Sequence, residues 1–222
     1  MLLRRLGLRG RIGRILAATS TVPVDEAIRL ARTGAQRYVG VGGRLDSEAE
    51  FTDENDRPLV FRRTRLALRT GRRGVWTVVA DIRDVVPFSI AGGLASIGVD
   101  QTALDAGLVV VVRESVGTAG EIADRVPEAT PPETPARLQV ELLSTVDHAL
   151  VLGVPGLDPV RGPILRAGLG RPLILTTMEP ADAMRILAEG YRTTTRAAAV
   201  LLALGLAGLG FGLVWAVVGG LR

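Results

Sequence analysis

Leu59-Val60-Phe61-Arg62-Arg63-Thr64-Arg65-Leu66-Ala67-Leu68-Arg69, then Gly71-Arg72-Arg73-Gly74, then Val75-Trp76-Thr77-Val78-Val79 is the stretch that decides the fold class. Two runs rich in β-formers flank a glycine-bounded turn, which is the signature of a β-hairpin. Period-two alternation sets Val60, Thr64, Leu66 and Leu68 on one face and Arg63, Arg65 and Arg69 on the other. Seven arginines, at 57, 62, 63, 65, 69, 72 and 73, precede the next acid, Asp81. A strip of that kind could meet lipid headgroups or a phosphate backbone, with a solvated outer face as the plainer reading. Arg63, Arg65, Arg69, Arg72 and Arg73 are the lipid-facing candidates.

Upstream, Pro23-Val24-Asp25-Glu26 opens an apolar pattern at Ala27, Ile28, Leu30 and Ala31 that stops at Gly34, with acids in the first turn and arginine in the last. This predicts a helix of about ten residues. From Gln36 the period changes, and Tyr38, Val39, Val41 and Leu45 with three glycines read as a strand. Downstream, strands are expected over 85–90, 94–99 and 108–113, with 100–107 as a connection. Prolines at 127, 131, 132 and 135 mark a surface loop, followed by elements over 137–143, 148–154 and 173–177. The pattern predicts an α+β, β-rich antiparallel sheet or barrel-like domain with a few short helices.

Residues 197–221 hold no charged or strongly polar side chain. At 1.5 Å per residue the run exceeds a hydrocarbon core of about 30 Å, so it predicts one C-terminal transmembrane helix, entered through a juxtamembrane helix from about residue 180. Gly208 and Gly212 stand four apart inside it, the spacing that lets two membrane helices approach and self-associate. Arg192 and Arg196 precede the run against Arg222 after it, which orients the preceding domain toward the cytoplasm. The expected organisation is a basic leader over 1–21, the β-rich domain over 22–179, and the anchor region over 180–222. The leader is loosely amphipathic and could lie on anionic lipid, but Gly7, Gly10 and Gly13 weaken a helix there.

Several chemistries are excluded or disfavoured by composition. The chain has no cysteine, so disulfides, thiolate catalysis and thiolate zinc sites are absent. With one histidine, a metal centre would need carboxylates almost alone, and no calcium-loop motif is present. All 27 basic residues are arginine, which removes any lysine Schiff base or P-loop lysine. The net charge of +4 is too small to argue for a nucleic-acid partner. Gly40-Val41-Gly42-Gly43 lies inside a strand pattern and opens no helix, so it is not a dinucleotide fingerprint. His148 after Asp147 suggests a general base, yet no nucleophile elbow accompanies it. No catalytic residue, metal ligand or cofactor is expected.

The run Arg57-Pro58-Leu59-Val60-Phe61-Arg62-Arg63-Thr64-Arg65, then Gly74-Val75-Trp76, then Val86-Pro87-Phe88-Ser89-Ile90 and a glycine-containing strand to Val99-Asp100, resembles the GIDE domain. This domain, also called BAM for "beside a membrane", occurs in mitochondrial E3 ubiquitin ligases of the MULAN/MAPL type and in prokaryotic relatives. The resemblance runs from about residue 22 to 221 and implies Trp76, Pro87 and Phe88 as fold-defining positions. In the ligases a zinc-binding RING follows the second span, and without cysteine no RING can form here. The resemblance therefore implies a non-catalytic binding or scaffolding module at the membrane, with a protein partner. Two alternatives are a component of a ubiquitin-transferase-like system whose RING lies on another chain, and an anionic-lipid-binding module.

Overall fold

The computed structural model describes residues 2–71, 74–104, 107–179 and 181–185. They fall into two units, one of residues 19–179 and one to which Leu2–Ala18 and residues 181–185 belong. In the second unit α1 spans Leu2–Ala18. The helix forms in spite of its three glycines, each costing about 1 kcal/mol relative to alanine. Ile12, Ile15 and Leu16, spaced for one helical face, are buried and offset that cost.

The larger unit starts with β1 (Thr21–Val22) and α2 (Val24–Thr33). Asp25 and Glu26 sit at the positive end of α2 and Arg32 at its negative end; Gly34 closes it with φ 68°, a left-handed turn that glycine takes without strain. Val24, Ala27 and Ala31 are its buried stripe. Eleven strands follow: β2 (Val39–Asp46), β3 (Phe51–Thr52), β4 (Pro58–Thr70), β5 (Val75–Val85), β6 (Ser89–Gly92), β7 (Ala95–Val99), β8 (Leu108–Val109), β9 (Arg113–Thr118), β10 (Pro135–Ser144), β11 (His148–Asp158) and β12 (Gly162–Arg166). β13 (Ile174–Thr176) completes the set.

An eight-stranded sheet runs β1-β2-β6-β7-β12-β11-β13-β8, and β2 also pairs with β11. The circuit β2-β6-β7-β12-β11 therefore closes on itself, which is the barrel-like part of the domain. A five-stranded sheet runs β3-β4-β10-β9, with β5 pairing β4 beyond β3 on the edge opposite β10. The unit is thus β-rich with few helices, as expected. The first sheet is mixed rather than antiparallel, because β1–β2, β7–β12 and β8–β13 are parallel pairs.

Three expectations need correction. Residues 85–90 do not make one strand: β5 runs to Val85, and Pro87, which has no amide proton for a ladder, separates it from β6. Residues 108–113 divide between β8 in one sheet and β9 in the other. β4 does not alternate simply, since Leu59, Val60 and Phe61 are all buried, as are Leu66, Ala67 and Leu68. The stretches 59–61 and 66–68 are covered on two faces, while Arg69 and Thr70 beyond them are exposed. Val60 and Phe61 enter the main core with Val39, Val41, Ile90, Ile97 and Leu165, while Leu66 and Leu68 join Ala119 and Ala136 in a second cluster.

Among the described residues no helix is long and apolar enough to cross a membrane. The predicted span over 197–221, with Gly208 and Gly212, lies outside those residues, as do Arg72 and Arg73.

Tyr38 ties the start of β2 to a distant loop. Its hydroxyl donates to the Pro172 carbonyl at 2.6 Å, and Arg171 lies 5.2 Å from its ring. Burial pushes the phenol up to about 12, against the opposing pull of Arg171. A raised folded-state value favours the neutral form, so this stabilisation is complete below pH 10 and is lost as pH rises through about 12. Tyr38→Phe should flatten the fall in stability over that window, measured by urea melts, while costing about 1 kcal/mol at neutral pH for the lost hydrogen bond.

Candidate binding surface of the long hairpin

β4 and β5 bring the predicted arginine strip together, and the fold gives it partners that lie far away in sequence. The ladder sets Arg62 opposite Asp84, Arg63 opposite Arg83 and Arg65 opposite Asp81; on the other edge Arg63 faces Glu141 and Arg65 faces Gln139. Arg63 grips Asp81 with a two-pronged fork, Nε to Oδ1 at 2.8 Å and Nη2 to Oδ2 at 2.7 Å. Arg65 Nη2 reaches both oxygens of Glu141, at 2.8 and 2.9 Å. Arg62 holds Asp84 Oδ2 through Nε and Nη2 at 2.9 and 2.7 Å. These are charge-assisted bonds of the stronger kind, and Glu141 keeps only 12% of its side-chain exposure.

The strip is therefore close to neutral along most of its length. Arg69, near the tip, is exposed and donates its Nε to the Gly74 carbonyl at 3.1 Å. No protein-family model, no curated protein and no solved structure matches this chain.

The three residues expected to define the fold occupy different surroundings. Phe88 is buried in the main core. Pro87 is exposed, and its carbonyl accepts from the Ser47 hydroxyl at 2.6 Å. Trp76 belongs to neither core cluster: it is half-buried on β5, opposite Arg69, with the Arg137 guanidinium 4.4 Å from its ring. It acts as a cation–π platform across the sheet.

The remaining polar candidates do not converge into a reaction centre. Asp147 spends one oxygen on Arg57 Nη2 and the other on the Ser144 amide, both at 2.9 Å, while His148 is exposed at the start of β11. The glycines at 40–43 lie within β2 and make no turn to a helix. Two half-buried carboxylates, Asp53 and Asp158, are held below the usual range because each accepts two backbone amides, Arg57 and Asn55 for the first, Arg161 and Val160 for the second. They are turn-forming groups. An open hollow of about 360 Å³ is lined by Arg44, Asp46, Ser47, Glu50, Thr145 and Val146. In it Thr145 Oγ1 donates to Glu50 Oε2 at 3.0 Å, and the Ser47 hydroxyl is engaged by the Ala49 and Pro87 carbonyls. Among the described residues no group of three or more acidic or histidine side chains could hold a metal.

The acids that complete the strip were missed by sequence reasoning. Asp81 and Asp84 lie across the turn from the arginines, but they come opposite Arg65 and Arg62 only because the ladder shifts by one residue between Leu66 and Ala67. Glu141 was hidden because its strand joins β4 from 76 residues away.

Proposed function

We propose that this protein is a non-catalytic binding or scaffolding module held at the cytoplasmic face of a membrane by its apolar run over 197–221. One observation favours this over the lipid-binding alternative: Arg62, Arg63 and Arg65 are committed to Asp84, Asp81 and Glu141. Guanidinium groups already bonded to carboxylates offer little attraction to anionic headgroups, each unpaired arginine being worth about 1 kcal/mol there. Attachment then falls to the apolar run, and the folded domain is left to present its surfaces to protein. The resemblance to GIDE domains supports the same placement.

Fractionation and flotation test this. The full chain should stay in the membrane pellet through an alkaline carbonate wash. A version ending before Ala197 should be released, and should not float with phosphatidylserine vesicles. Release of the full chain by carbonate would overturn the tether. Flotation of the shortened chain, lost on replacing Arg63, Arg65 and Arg69 by Gln, would install the lipid-binding reading instead.

A further inference from the structure

β5 is an edge strand of 11 residues whose only described ladder is with β4. Val75, Val78, Val79, Ile82 and Val85 are all exposed along it, a concentration found on no other strand. An edge of this length with no proline and no lysine invites addition of another strand.

The hydrogen-bond phase of β5 restricts what can be added. Val86 N–H donates to the Val60 carbonyl at 3.1 Å, which makes Phe61 and Val85 a non-hydrogen-bonded pair. The register is unbroken from there to Leu66 and Ala80. Ile82 and Asp84 therefore point their amides and carbonyls toward β4, and Arg83 and Val85 point theirs to the outer edge. A bulge then shifts the ladder, because Ala67 pairs with Val78 and leaves Val79 over. Beyond it the phase reverses, so continuous pairing on the outer edge is confined to residues 79–85.

We propose that the occupant of this edge is β5 of a second copy of the chain, antiparallel about a twofold axis at Ile82. This names one partner for the binding module proposed above and rests on that reading. In this register Asp81 faces Arg83 of the second copy and Arg83 faces its Asp81, so both symmetry-related contacts join opposite charges. Shifting the axis to Asp81 or to Arg83 would set like charges directly opposite, which destabilises a strand pair. Within its own chain Arg83 donates Nη2 to the Gln101 carbonyl and lies 5.2 Å from the Phe61 ring. On the other face the two Ile82 side chains, each 58% exposed in the single chain, would cover one another.

The chain has no cysteine, so single substitutions give unambiguous cross-links in the full-length protein in detergent or nanodiscs. Ile82 and its symmetry mate form a non-hydrogen-bonded pair with Cα atoms about 4.5 Å apart, within disulfide range. Mild oxidation of Ile82→Cys should give a covalent dimer, and Val75→Cys, displaced along the strand, should not. Adding Val85→Pro, which removes an outward amide without touching the β4 ladder, should abolish the dimer band while leaving the circular dichroism spectrum unchanged. Equal cross-linking at both positions, insensitivity to Val85→Pro, or a monomeric mass for the unmodified chain would overturn self-pairing. A monomer that still resists carbonate extraction would remove this proposal and leave the tethered module standing.

Discussion

Gly43→Ala is expected to cost about 3 kcal/mol or more and to lower the melting temperature by roughly 6–12 °C. A Cβ built on Gly43 would lie inside the contact distance of the Ala91 carbonyl oxygen, 2.7 Å from Ile90 Cγ2 and 3.1 Å from the Ala91 carbonyl carbon. The first and last of these atoms are backbone and cannot rotate away. β2 would have to part from β6, which opens the closed circuit of the larger sheet at the strands that carry Val41 and Ile90 into the core. Gly42→Ala is the control, since nothing stands within 4 Å of its added methyl. There the lost flexibility of the unfolded chain should stabilise by up to about 1 kcal/mol. Thermal melts of the two variants side by side separate a packing requirement from a generic glycine effect. Equal melting temperatures would mean that β6 can shift to admit the methyl.

That pair of glycines also explains what was legible in the sequence. A glycine run inside a strand announces a close neighbour, and the stretch 40–43 gives it, with β2 emerging one residue from its expected start. Which glycine meets the neighbour depends on the β2–β6 register, and that is set by contacts 45 residues apart. The end signals of α2 were local and sufficient. β4 and the start of β5 were legible because β-branched residues, the turn glycines and the turn itself lie within one stretch. The charge balance of the hairpin was not. Mirroring about the turn from Thr70 and Val75 sets Arg62 opposite Arg83, and the bulge at Val79 moves it by one residue to Asp84. A single unpaired residue thus converts apparent repulsion into an ion pair, and nothing in the local composition marks it. The break within residues 108–113 was equally hidden, because the apolar run 108–112 reads as one strand, yet pairing with β13 ends at Val109 and Arg113 opens β9, whose partner is the distant β10.

Neutralising Asp81, Asp84 and Glu141 together should turn the hairpin into a lipid-binding surface. The wild-type strip sets three arginines, 62, 63 and 65, against these three acids; Asp81→Asn, Asp84→Asn and Glu141→Gln keep the side-chain shapes and leave three positive charges. At about 1 kcal/mol per arginine beside an anionic leaflet, the gain is roughly 3 kcal/mol, or about a hundredfold in vesicle affinity. The effect should appear with phosphatidylserine vesicles and not with phosphatidylcholine, and should vanish near 1 M salt, where the screening length falls to about 3 Å. Stability should fall at the same time, mostly through Glu141, because its carboxylate is the least exposed of the three and Arg65 is left half-buried with a neutral partner. That loss should be about 1–3 kcal/mol, the usual cost of a weakened charge-assisted bond; Asp84, at 42% side-chain exposure, should contribute little. Both readouts belong on the chain ending before Ala197, so that the apolar run cannot supply the binding. If the folded triple variant ignores anionic vesicles, ion pairing is not what keeps the hairpin off lipid, and its geometry is. If the wild-type chain already binds as tightly as the variant, the internal pairs are too weak to compete with headgroups, and the arginines themselves become part of how this protein meets a membrane.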